Sequence, residues 1–66
     1  MVNEIPEQVW ELVYERYLKA PETIKLAIPG VGVLDKNAIL YHIKRRDEVG
    51  RMIVMMEWQY LRFLTR

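Results

Sequence analysis

Apolar residues cover more than one side of the segment from Val49 to Leu64, and a chain this short has little with which to cover them. Val49, Ile53, Met56, Tyr60 and Phe63 follow one another at intervals of 4, 3, 4 and 3, the spacing of a helical seam, and Met52 and Leu64 widen it. Val54, Trp58 and Leu61 repeat the 4, 3 spacing on a second stripe. A surface helix needs one apolar stripe toward its core. Two stripes predict a helix covered from both sides, and the simplest cover is another copy of the chain. The first seam is expected to face the chain's own first helix. The second, Val54, Trp58 and Leu61 with Met55 beside them, is expected to face a second copy.

Length sharpens this expectation. A domain of 66 residues buries only about 60% of the surface its unfolded chain exposes, so a lone core is marginal. The usual remedies for small folds are disulfides, metals and oligomerisation. The chain has no Cys, which excludes disulfides and thiolate metal sites. Helix packing and self-association remain. No apolar run approaches 18 residues, so no membrane span is expected, and Glu4 and Glu7 stand where a leader would be basic and then apolar. A cytoplasmic location is the expectation.

Four helices are predicted, at about 6–20, 22–28, 36–46 and 48–65, in a single all-α domain of residues 1–66. Pro6 suits a first helical position, Glu7 and Glu11 lie near the positive end of the helix dipole, and Lys19 lies near the negative end. Val9, Leu12, Val13 and Tyr17 form one stripe of this helix, and Trp10, Tyr14 and Leu18 a second on an adjacent arc. Pro21 ends it and Pro29-Gly30 ends a short second helix. Asp35 is a good N-cap for the third, and the chain is expected to break or kink between residues 47 and 50. The first and last helices are expected to form a helical hairpin, with the two short helices closing one end.

Charge is divided along the chain. Residues 1–24 hold five acids against Arg16 and Lys19, a net −3; residues 25–66 hold eight bases against four acids, a net +4. Opposite halves suit contacts between copies, and they also suit a basic face.

Catalytic chemistry is poorly supplied. There is no Ser, no Cys and a single histidine, His42, so neither a nucleophile–base pair nor a metal-ligand motif emerges. No enzyme activity, metal or cofactor is expected. One motif has a mechanism: Ile28-Pro29-Gly30-Val31-Gly32 resembles the turn of helix-hairpin-helix DNA-binding motifs. That resemblance implies backbone N–H groups around Gly30 and Gly32 holding a DNA phosphate, with Lys36 and Asn37 opening the following helix. Ala38 lies two residues farther along than the packing residue of that motif. The same stretch also fits a helix-turn-helix, in which Lys36, Asn37, Lys44, Arg45 and Arg46 would reach DNA. The leading expectation is therefore a non-enzymatic protein that works by protein–protein association, as a homodimer or higher oligomer or with another protein. The alternative is a small dimeric DNA-binding protein using residues 22–46.

Overall fold

The computed structural model of the chain describes residues 5–65, with side chains through Leu61. Three helices and one β-hairpin follow in the order α1 (Glu7–Leu18), β1 (Lys25–Ile28), β2 (Gly32–Asp35), α2 (Lys36–Arg45) and α3 (Glu48–Thr65). The two strands form an antiparallel sheet, Leu26 opposite Leu34 and Ile28 opposite Gly32. The protein is mixed α/β, and the all-α bundle expected from the sequence is wrong. The error lies at residues 22–28, where a strand replaces the predicted short helix.

The cause of that strand is local. Ile24, Leu26 and Ile28 alternate with Lys25 and Ala27, which is the period of a half-buried strand. A ladder of four pairs buries Ile28 and half-buries Leu26 and Leu34, with Ile24 half-buried just before it, while Lys25, Ala27, Val33 and Asp35 are exposed. The turn matches the sequence that follows. The Val31 N–H donates to the Ile28 carbonyl at 2.9 Å, with Pro29 and Gly30 between them and Gly30 at φ 81°. Proline followed by a positive-φ glycine is the residue order of a type II turn. The Pro-Gly pair thus reverses a strand rather than stopping a helix.

Helix α1 begins on Pro6, whose carbonyl accepts from the Val9 and Trp10 N–H groups at 3.0 and 3.4 Å. It buries Trp10, Val13 and Tyr17, spaced 3 and 4. Helix α2 is capped by Asp35, whose Oδ1 accepts from the Ala38 N–H at 2.9 Å, and it buries Ile39 and Ile43. It ends at Arg46, which takes the left-handed conformation at φ 58°. Asp47 then caps α3, accepting the Gly50 N–H at 2.9 Å. The break between α2 and α3 is therefore a left-handed residue followed at once by a capping carboxylate.

Helix directions follow from the ties between ends. Arg46, at the end of α2, reaches Glu7 at the start of α1, while Lys36, at the start of α2, donates to the Ala20 carbonyl just past the end of α1. So α2 runs antiparallel to α1. The tight reversal at Arg46–Asp47 makes α3 antiparallel to α2, hence parallel to α1, and Glu57 accordingly accepts the Tyr17 hydroxyl at 2.7 Å near the end of α1. The predicted hairpin of first and last helices is replaced by a parallel pair with α2 as the central element. Two chain reversals, one through the β-hairpin and one at Asp47, account for it.

The core gathers Ile5, Trp10, Val13, Tyr17, Ile28, Ile39, Ile43, Ile53 and Val54. On α3 the core stripe straddles the two predicted seams. Ile53 of the first and Val54 of the second are both fully buried, whereas Met56 and Tyr60 of the first are exposed. An α-helix turns about 100° per residue, so two adjacent residues both reach a wide core, and strict heptad spacing misplaces its centre. Phe63 and Leu64 lie outside the described side chains.

Candidate functional surface

The residues singled out from the sequence fall into three places. Val54 is in the chain's own core, and Met55, Trp58 and Leu61, three residues apart, are half-buried along one flank of α3. On the other flank Met52, Met56 and Tyr60, four apart, leave Met56 44% and Tyr60 55% exposed. Burial in the monomer therefore removes Val54 from any surface that a second copy could touch, while apolar side chains on both flanks remain accessible. Sequence reasoning assigned Met56 and Tyr60 to the inside, and only the placement of the core shows them outside.

Gly30, Gly32, Lys36 and Asn37 lie at the hairpin end of α2, and Lys44, Arg45 and Arg46 at its opposite end. The separation from Lys36 to Lys44 is about 12 Å at 1.5 Å per helical residue. The two groups do not form one patch. The phosphate-gripping arrangements expected for this stretch both require a helix before the Pro-Gly turn, and β1 stands there instead. Lys36 is also occupied. Its Nζ donates to the Ala20 carbonyl at 2.7 Å and lies 3.6 Å from the Glu22 carboxylate, holding the chain after α1 against α2.

The basic cluster at the other end is interleaved with aromatic rings and acids. Arg46 pairs with both Glu7 carboxylate oxygens, one of them at 2.9 Å, and its guanidinium lies 4.8 Å from the centre of the Trp10 ring. Arg46 holds the Glu7 carboxyl below the usual range, chiefly through this hydrogen bonding. Arg45 sits 5.6 Å from the Tyr41 ring and 3.5 Å from the Asp47 carboxylate. Lys44 sits 6.0 Å from the Tyr14 ring. Arg46, Lys44, Trp10 and Tyr14 of this set line an open groove of about 490 Å³ between α1 and α2. Trp10, Glu11, Tyr14 and Glu15 form one wall, and Ile43, Lys44 and Arg46 the other. The sequence signal for it was present: Trp10 and Tyr14 belong to the second apolar stripe of α1, the one that the core does not fully cover.

His42, the sole histidine, faces Asp47. Its Nδ1 lies 2.7 Å from the Asp47 Oδ2, while the other Asp47 oxygen accepts the Gly50 N–H. That N–H, and after it the histidine, hold the Asp47 carboxyl below its ordinary value. This cluster joins two helix ends and opens onto none of the grooves described. Glu57, between α1 and α3, accepts from Tyr17 and lies 3.6 Å from Arg16; burial and that hydrogen bond push the Tyr17 hydroxyl well above its usual range. Among the described residues no group of three or more His, Asp or Glu side chains is placed to hold a metal ion. None of the helices is long and apolar enough to cross a membrane, again among the described residues.

Compared with known protein families, with curated proteins and with solved structures, the chain matches none.

Proposed function

We propose that the chain is a non-catalytic association module, a small regulator or accessory subunit that works through protein contact, in the first place with a second copy of itself. One observation carries this reading: α3 commits one stripe to the core and still presents Met56 and Tyr60 to solvent on one flank, with half-buried Met55, Trp58 and Leu61 on the other. Fully burying a large apolar side chain stabilises by roughly 1.5–3 kcal/mol, and about half of that is still available at each half-exposed position before association costs are subtracted. Two antiparallel α3 helices meeting about a twofold axis at Met56 bring Met52 of each opposite Tyr60 of the other. A helix that offers the same stripe to its twin forms an isologous contact, the commonest arrangement in oligomers.

Sedimentation of the wild-type chain against the Met56→Glu and Tyr60→Glu variants tests the reading. Both positions are exposed, so the variants fold. Loss of mass relative to wild type is expected in both. A wild-type oligomer whose mass survives both substitutions would remove α3 as the contact.

A further inference from the structure

The groove between α1 and α2 is built from paired rings and cations. Significant cation–π pairs occur about once per 70–80 residues. Here Arg46 with Trp10 and Lys44 with Tyr14 follow one another across the α1–α2 seam, and Arg45 with Tyr41 adds a third pair within α2. The groove is also polarised. Its α1 wall carries Glu11 and Glu15, its α2 wall Lys44 and Arg46. These are the acidic and basic halves of the chain brought face to face across one cleft.

We infer that this groove is itself a contact between two copies, packed groove to groove about a twofold axis running along it. Rotation about an axis parallel to the groove exchanges its left and right walls but leaves positions along the axis unchanged. The acidic wall of one copy therefore lies over the basic wall of the other. Glu11 and Lys44 line the same depression from opposite walls, within a helical turn of one another along it, and the rotation keeps that spacing. Each Glu11 then meets Lys44 of the second copy, twice per dimer. Helix direction along the axis is also unchanged, so α1 of one copy packs against α2 of the other in the antiparallel sense. With α1 and α2 already antiparallel within each chain, the result is a four-helix arrangement in which every neighbouring pair runs in opposite directions, the up-down pattern of stable bundles.

A polarised groove is thus complementary to itself in a way that a groove of one sign is not. A nucleic-acid strand fits it poorly: Glu11 and Glu15 confront its phosphates, and Trp10, the ring best suited to stacking, is buried with Arg46 over it. The proposal rests on the self-association reading but uses a face separate from α3.

Charge reversal tests it. Wild type, Glu11→Lys, Lys44→Glu and an equimolar mixture of the two variants are run by sedimentation velocity at about 50 mM salt, with circular dichroism on each. Wild type is expected at no less than twice the 8.0 kDa chain mass. Each variant alone sets like charges against each other at two symmetric places, and its association should weaken by at least about tenfold. The mixture should recover the wild-type association, because each reversed position then faces an opposite charge in the other copy. A wild-type monomer at 100 µM (a concentration on the order of which weak dimers form) overturns the proposal. So do reversal variants that keep the wild-type mass, or folded variants whose mixture fails to recover it. If Met56→Glu and Tyr60→Glu dissolve the assembly while the reversals do not, the groove is excluded and the α3 contact stands. The opposite pattern excludes α3 and leaves the groove.

Discussion

The hairpin and the α2–α3 junction both depend on glycine, for opposite reasons. At the hairpin, Gly30 adopts φ 81° and nothing approaches within 4 Å of where a Cβ would stand. There glycine supplies a backbone conformation in open space. At the junction, Gly50 has an ordinary helical backbone, but a Cβ would stand 2.1 Å from the His42 carbonyl oxygen and 2.7 Å from its carbon. There glycine supplies room, and α3 touches α2 backbone to backbone. A residue type that reads as a weak point in a helix is, in this fold, what lets the two helices meet.

The largest expected effect breaks the junction. Gly50→Ala forces the helices apart against a rigid main chain. It should cost about 3 kcal/mol or more, at the upper end of overpacking effects, and lower the urea midpoint accordingly. Gly30→Ala comes next. Its cost is the left-handed conformation alone, about 1–2 kcal/mol in the same titration. If the two substitutions cost the same, the distinction between room and conformation fails.

Asp47→Asn probes the junction differently, because asparagine keeps the cap and removes the charge. The folded-state pKa of Asp47 lies below its ordinary value of 3.8. Its contribution is therefore present above that value and lost as the pH falls through the lower, folded value. The wild type should be the more stable at pH 7, and the gap should close with acidification below about pH 4, as followed by thermal melts across pH. A gap independent of pH would mean that the carboxylate's charge does nothing there.

The smallest effect belongs to the hairpin's outer face. Val33 is 67% exposed, and Val33→Thr should change stability by no more than about 0.5 kcal/mol. A larger loss, growing with protein concentration, would mean that Val33 is covered by a second copy.

Several elements were legible before any coordinates. The first helix could be read from Pro6 and from its two apolar stripes, Val9, Leu12, Val13 and Tyr17 beside Trp10, Tyr14 and Leu18, although its core face, Trp10, Val13 and Tyr17, draws on both. The third could be read from Asp35, and the break from Asp47 with Gly50 behind it. Each is signalled by residues within one or two helical turns, where capping and periodicity act directly. The hairpin was also written locally, in the alternation of Ile24, Leu26 and Ile28 before Pro29-Gly30. Five residues of mixed apolar pattern fit a helical turn almost as well, and pairing with β2 decides between them. Of the candidate surface, the aromatic second stripe of α1 was visible, but its partner wall was not.

By itself, then, the sequence determined where helices start and stop, that the chain carries more apolar helix surface than one small core absorbs, and that its acids and bases are segregated. The tertiary structure alone decided which of those surfaces stay outside. Core position depends on how α2 lies between α1 and α3, and that depends on two chain reversals and on one backbone contact at Gly50. These join residues distant in sequence, such as Glu7 with Arg46 and Tyr17 with Glu57, whose pairing no local pattern encodes. The same arrangement put Val54 inside and left Met56 and Tyr60 at the surface. It also placed the acidic α1 wall across a groove from the basic α2 wall.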